Sequence, residues 1–177
     1  MTLPPVAVTV RTEGSGEQPL VRAVTEAAFG RALEADIVDG VRGTADWLAD
    51  GSIVALDENR RVIGHVLLSR GRLVGSDGSA TDIGMIGPVS VMPELQRRGI
   101  GGQLMRAAIS AAVVLRLPII CLLGHPTYYP RFGFELARPL GIEAQDPAWP
   151  DEAWMVFRLP AWTPALRGMA RFAPAFG

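Results

Sequence analysis

The run Val89-Ser-Val-Met-Pro-Glu-Leu-Gln-Arg-Arg-Gly-Ile-Gly-Gly102, continued by Gln103-Leu-Met-Arg-Ala-Ala-Ile-Ser-Ala-Ala-Val-Val-Leu-Arg116, reads as a strand end, a tight basic loop and an amphipathic helix. Ile100, Leu104, Ala108, Ala111 and Leu115 recur at the spacing that lays one apolar stripe along a helix, while Gln103, Arg106 and Ser110 fall largely elsewhere. One face of this helix is therefore expected to be buried. A helix start leaves backbone N–H groups without partners and carries partial positive charge, so glycines placed there let the backbone close around an anion. Gly99, Gly101 and Gly102 supply the close approach, and Arg97 and Arg98 add charge beside it. The ligand this arrangement predicts is a phosphate or diphosphate.

Two common phosphate loops match poorly. The P-loop needs a lysine after its last glycine, and the chain contains none. The dinucleotide fingerprint needs Gly-x-Gly-x-x-Gly, whereas only Gly-x-Gly-Gly is present. Gln96-Arg97-Arg98-Gly99-Ile100-Gly101, preceded by an apolar strand and Pro93, instead resembles the coenzyme A loop of the GNAT superfamily of acetyl-CoA-dependent N-acetyltransferases: Gln or Arg, two variable residues, Gly, one variable residue, then Gly or Ala. The downstream run Tyr128-Tyr-Pro-Arg-Phe-Gly-Phe134 strengthens the resemblance, since the family commonly carries a Tyr four residues before a Gly-Phe pair at this distance. Gly87-Pro-Val-Ser-Val91 together with the run from Gly124 to Phe134 looks most like a predicted bacterial N-acetyltransferase branch.

Composition narrows the partners. A chain of 177 residues suits a single domain, expected over 1–177 with residues 160–177 as a tail packed on it. The net charge is −1 and the seventeen basic residues, all arginine, form no dense run, which argues against nucleic acid and against a polybasic membrane patch. One cysteine, Cys121, in an apolar run cannot form an internal disulfide, and no apolar stretch approaches the ~20 residues of a spanning helix. With no signal-peptide pattern at the start, a cytoplasmic protein is expected. Two separated histidines and one cysteine offer no metal site.

The remaining chain supplies the frame. Val6 to Arg11 alternates as a first strand; helices are expected from Pro19 to about Gly30 and from about Ala32 to Arg42, the second with Leu33, Ile37, Val38 and Val41 inward. Ser52–Leu56 and Arg61–Leu68 flank a polar turn as a hairpin, and Gly71 to Ser79 reads as a glycine-rich connection. Ile83 to Val91 returns as a strand, but Gly87-Pro88 within it predicts a bulge that opens a cleft toward the parallel strand Leu117–Leu123. Phe134–Ala137 and Trp154–Leu159 close the sheet, and Gly141–Asp151 is a loop placed near the acceptor. This order is that of the GNAT fold, an α/β architecture with a mixed twisted sheet flanked by helices and a splayed, bulged central strand.

The resemblance implies roles. Val89 and Val91 would meet the pantetheine and acetyl carbonyl through strand backbone, and Gln96, Arg97, Arg98, Gly99, Ile100, Gly101 and Gly102 would hold the diphosphate of acetyl-CoA. Tyr129 is in register with the family's general acid for the departing thiolate, with Tyr128 packing beside it. No base is assigned: Asp82, Glu26, Glu34 and Asp36 are weak candidates, the last three on helices where charge usually marks a solvated face. His125, in the loop after a parallel strand, is the better-placed histidine, and His65 reads as structural. The expected activity is acetyl transfer to a primary amine of a small molecule or peptide by direct attack, from a monomer or homodimer; the alternative is a coenzyme A-binding module without catalysis.

Overall fold

The computed structural model describes residues 7–177, so Val6, where the first strand was expected to begin, lies outside the described residues. Strand β1 (Thr9–Thr12) is followed by helices α1 (Gln18–Phe29) and α2 (Leu33–Arg42), then by strands β2 (Ser52–Leu56), β3 (Val62–Val74) and β4 (Ala80–Val91). Helix α3 (Ile100–Val114) leads to β5 (Ile119–Leu123) and a short turn of 3-10 helix (Tyr129–Phe132). Strands β6 (Glu135–Leu136), β7 (Ile142–Glu143), β8 (Trp154–Arg158) and β9 (Gly168–Arg171) complete the order. The sheet runs β1-β2-β3-β4-β5-β8-β6, with β9 pairing both β3 and β7.

Alternation along the strands assigns the two faces. Ile53, Val66 and Ile86 pack with Leu104, Met105 and Ala108 of α3, whereas Val54 and Leu67, one residue out of phase, pack with Val21, Val38 and Val41 of α1 and α2. Truncating Leu104, which is fully buried, would cost about 2–5 kcal/mol. Two expectations, one for a helix and one for a connection between strands, are corrected. Leu33 is 54% exposed, and Ala35 takes its place in the buried stripe. The stretch from Gly71 is not a connection: β3 and β4 stay paired as far as Val74 and Ala80, so only Gly75–Ser79 forms the turn.

The predicted bulge is present. Val66 faces Val89 and Leu68 faces Ile86, so Gly87 and Pro88, joined by a cis peptide bond, stand opposite the single residue Leu67. Parallel pairing of β4 with β5 is confined to Gly84 with Ile120 and Met85 with Cys121, and stops before the bulge. Beyond it the strands part, as the alternation of apolar residues with Gly-Pro predicts.

The C-terminal segment adds a strand that the sequence does not announce. β2 covers one edge of β3 only up to Leu67. β9 takes the same role further along, pairing Arg171, Ala170 and Met169 with Arg72, Leu73 and Val74. Trp154 donates its indole N–H to the Ile142 carbonyl at 2.9 Å and packs with Phe172, tying β7, β8 and the tail into one apolar cluster.

Candidate active site

The gap between β4 and β5 is lined by backbone with spare hydrogen-bonding capacity. Met92 donates its N–H to the Ile63 carbonyl at 3.0 Å, toward β3. Because peptide groups alternate in direction along a strand, Val91 and Val89 turn theirs away from β3 and into the gap. The Val91 carbonyl is taken by the Gln96 side-chain amide at 3.1 Å, which fastens the basic loop to the strand end.

The loop itself is wound tightly by two left-handed residues, Arg97 at φ 59° and Gly99 at φ 86°. The first is unusual for arginine; the second is what glycine allows without strain. No side chain caps the start of α3, so its first N–H groups face outward. A Cβ on Gly101 would come within 3.0 Å of the Tyr128 hydroxyl. Ile100 is fully buried in the core and offers only its backbone.

A cavity of about 690 Å³ extends from this corner. Val89, Val91, Gln96, Arg97, Gly99, Ile100, Gly101, Gly102 and Tyr129 all border it. Arg98 does not. Arg106 and Arg131 do, along with Tyr128 and Phe132. Arg106 follows Gly102 by four residues and so shares its helix face, a spacing from which its place is readable. Arg131 lies over the Tyr128 ring, 4.5 Å from its centroid, an arrangement with no sequence signal of its own. Among the described residues three arginines, Arg97, Arg106 and Arg131, and no carboxylate line this cavity, so its field favours an anion.

A second cavity of about 430 Å³ lies beside the first, and the two share Phe29, Val89 and Tyr129. The Tyr129 ring rests on Gly124 at the end of β5, where a Cβ would come within 2.2 Å of it. Burial, and then the neighbouring Tyr128, push the Tyr129 phenol up to about 12, so it stays protonated at neutral pH. Burial also raises Tyr128, with Arg131 and Arg106 opposing. His125 is exposed and borders only the second cavity.

The carboxylates sort cleanly. Asp82 pairs with Arg70 and Arg72, while Glu26 and Asp36 both pair with Arg22, away from either cavity. Glu34 was expected on a solvated face; it is 8% exposed and borders the second cavity. The Arg31 guanidinium grips it from two nitrogens, with Nε 3.0 Å from Oε2 and Nη2 on Oε1, and holds its carboxyl below the usual range.

His65 lies elsewhere, fully buried beneath α1 and α2. Its Nε2 is 2.9 Å from the Ser52 hydroxyl, which donates to Glu13, and Arg42 pairs with Glu13 at 2.9 Å. Since Ser52 spends its proton on Glu13, the ring donates from Nε2 and leaves Nδ1 without a partner. The structural reading of His65 thus has one unsatisfied atom.

Among the described residues no helix is long and apolar enough to cross a membrane, and no group of His, Cys, Asp and Glu could hold a metal ion. Known proteins agree with the geometry. An uncharacterized N-acetyltransferase of Escherichia coli K12, YjhQ, is 35% identical over 157 residues, covering 86% of this chain and 85% of its own. A second E. coli protein, YhbS, is 29% identical over 152 residues, covering 85% of this chain and 86% of its own. The crystal structure of E. coli YhbS in complex with CoA superposes with a TM-score of 0.87 at 25% identity, covering 99% of this chain and 95% of that one. A GNAT family acetyltransferase from Brucella melitensis in complex with acetyl-CoA superposes at 0.77 and 27% identity, covering 97% and 99%. Residues 9–137 match the family described as Acetyltransferase (GNAT) domain, and this chain belongs to that family.

Proposed function

We propose that this protein moves an acetyl group from acetyl-CoA to a primary amine by direct attack, with the cofactor in the larger cavity and the acceptor in the smaller. The observation that carries the reading is the uncapped start of α3, wrapped by a left-handed glycine and flanked by arginines, opening onto the unpaired edge of β4. That corner suits a diphosphate: free amides, positive charge, and one glycine, Gly101, where a larger residue would meet Tyr128. The relatives crystallised with CoA and with acetyl-CoA support the same assignment.

Gly99, Gly101 and Gly102 would receive the diphosphate on their amides, with Arg97 and Arg106 alongside. When bound, acetyl-CoA supplies a thioester, an acyl group activated toward amines. The Val89 and Val91 peptide groups, turned into the gap, pair with the amide-bearing arm of the cofactor and orient the acyl carbonyl. Tyr129, bordering both cavities, donates toward the departing sulfur. A phenol at about 12 gives up its proton poorly to a thiolate whose conjugate thiol has an ordinary pKa of ~8.5, so hydrogen-bond donation carries more of its effect than full proton transfer. The only carboxylate that the described residues place on either cavity wall, Glu34, is held ionised by Arg31 and makes a poor base. The amine therefore enters in its neutral form or loses its proton to water.

The test is thermal unfolding with acetyl-CoA, followed by release of free thiol across a panel of amines. A hundredfold excess over Kd stabilises by about 2.7 kcal/mol, which raises Tm by roughly 5–10 °C in a chain of this size. Gly101→Glu should abolish the shift. No shift in the intact protein defeats the reading, and a shift with no thiol release for any amine assigns a binding module instead.

A further inference from the structure

The smaller cavity carries information about the acceptor beyond its place beside the thioester. Most of the residues on its wall are apolar, Ile37, Met85, Ile86, Trp149 and Phe176 among them. Among the described residues, Arg31 and Glu34 are the only arginine and the only carboxylate on it, and His125 and Tyr129 also border it. Arg31 and Glu34 are spent on each other in a two-pronged pair. Glu34 is the inner partner, its side chain 11% exposed, while that of Arg31 is 62% exposed and covers it from outside.

A charge brought into an apolar cavity must find an opposite charge or bear the cost of desolvation. Here neither a carboxylate nor a guanidinium is left over. An acceptor with a second ammonium would have to take Glu34 from Arg31, and one with a carboxylate would have to take Arg31 from Glu34. The reacting nitrogen itself needs no counter-ion, because only its neutral form attacks. The volume of about 430 Å³ holds a small organic body, within the range of roughly 300–1,000 Å³ usual for small-molecule sites. We infer that the acceptor is a primary amine on an apolar body, aromatic or branched aliphatic, with no second charged group. This inference rests on reading the larger cavity as the acetyl-CoA site.

Matched amines test it with the full-length protein and acetyl-CoA: phenethylamine as the apolar monoamine, phenylalanine as its carboxylated counterpart, and p-xylylenediamine and spermidine as carriers of further ammonium groups. The expected result is a kcat/KM for phenethylamine at least tenfold above each of the others. Breaking the internal pair should redirect the preference. Arg31→Gln frees the Glu34 carboxylate and raises p-xylylenediamine relative to phenethylamine about tenfold; Glu34→Gln frees the Arg31 guanidinium and does the same for phenylalanine. The acetyl-CoA thermal shift, retained in both variants, shows that they are folded and bind the cofactor. Wild-type protein preferring spermidine or phenylalanine overturns the inference while leaving acetyl transfer standing, and so does a ranking that neither variant moves. A wild-type protein that acetyl-CoA does not protect, or that releases thiol with no amine, removes the underlying reading and this inference with it.

Discussion

Two adjacent tyrosines in one short turn face different tasks, and their neighbours say which. Tyr129 lies against Gly124 and borders both cavities, while the Tyr128 hydroxyl sits over Gly101 and its ring beneath Arg131, at the end of the larger cavity proposed to take the diphosphate. On the proposed mechanism, Tyr129→Phe lowers kcat about a hundredfold with little change in the acetyl-CoA thermal shift. Tyr128→Phe weakens the shift and raises the KM for acetyl-CoA with kcat nearly intact. Steady-state kinetics on the two variants separates the roles, and equal effects on both parameters would refute the division. The register of Tyr129 before Gly133-Phe134 is legible in the sequence. The position of Tyr128 is not, since it depends on which way a ring turns once the loop has closed over α3. Glu34 makes the same point: its charge suggests solvent, and only its ion pair with Arg31 explains burial.

At the level of elements, the cleft exists because β4 cannot follow β5 past the bulge, and a Gly-Pro pair inside an apolar strand announces that break. The start of α3 is equally readable, through glycines and arginines ahead of an apolar stripe. The extents of β3 and β4 are not, because Gly71 and the polar residues near the turn look like loop until their partner strand is known. Gly124 opens a run that the sequence singles out, but the reason for glycine there is legible only in the ring that occupies the space of its missing side chain. Gly124→Ala should push the Tyr129 ring from the cavity wall, lowering kcat as Tyr129→Phe does and costing about 1–3 kcal/mol of stability. Activity and urea unfolding measured on one preparation check both, and unchanged kcat would show that the ring's seat is unimportant.

For the molecule as a whole, the buried line His65, Ser52, Glu13 and Arg42 joins β3, β2, the end of β1 and α2 beneath the helices. Burial, and secondarily Arg42, press His65 down to about 3 from an ordinary value of 6.5. Above pH 6.5 folded and unfolded chains both carry it neutral. As pH falls from there toward 3, the unfolded chain takes a proton that the folded one refuses, so stability drops by up to about 1.4 kcal/mol per pH unit. Urea unfolding at pH 7.5 and 5.5 should show that slope, and His65→Gln should flatten it; a wild-type protein equally stable at both would contradict the burial argument. The tail makes a second whole-chain prediction. Removing residues 168–177 strips β9 from β3 and takes Phe172 and Phe176 from the sheet, so we expect a loss of about 3 kcal/mol or more. The intact chain should unfold in one transition by circular dichroism and by fluorescence, with the tail part of the same domain; two separate transitions would count against that. Hydrophobic period, the Gly-Pro break and the glycine-arginine loop determine by themselves the α/β order, the splayed strand and the tight basic loop ahead of α3, because each is a local consequence of backbone geometry and side-chain volume. The tertiary structure alone decided that the tail joins the sheet, that Tyr128 covers the loop and that Glu34 is neutralised inside a second cavity. Those outcomes depend on which distant surfaces meet, and a linear spacing carries no record of that.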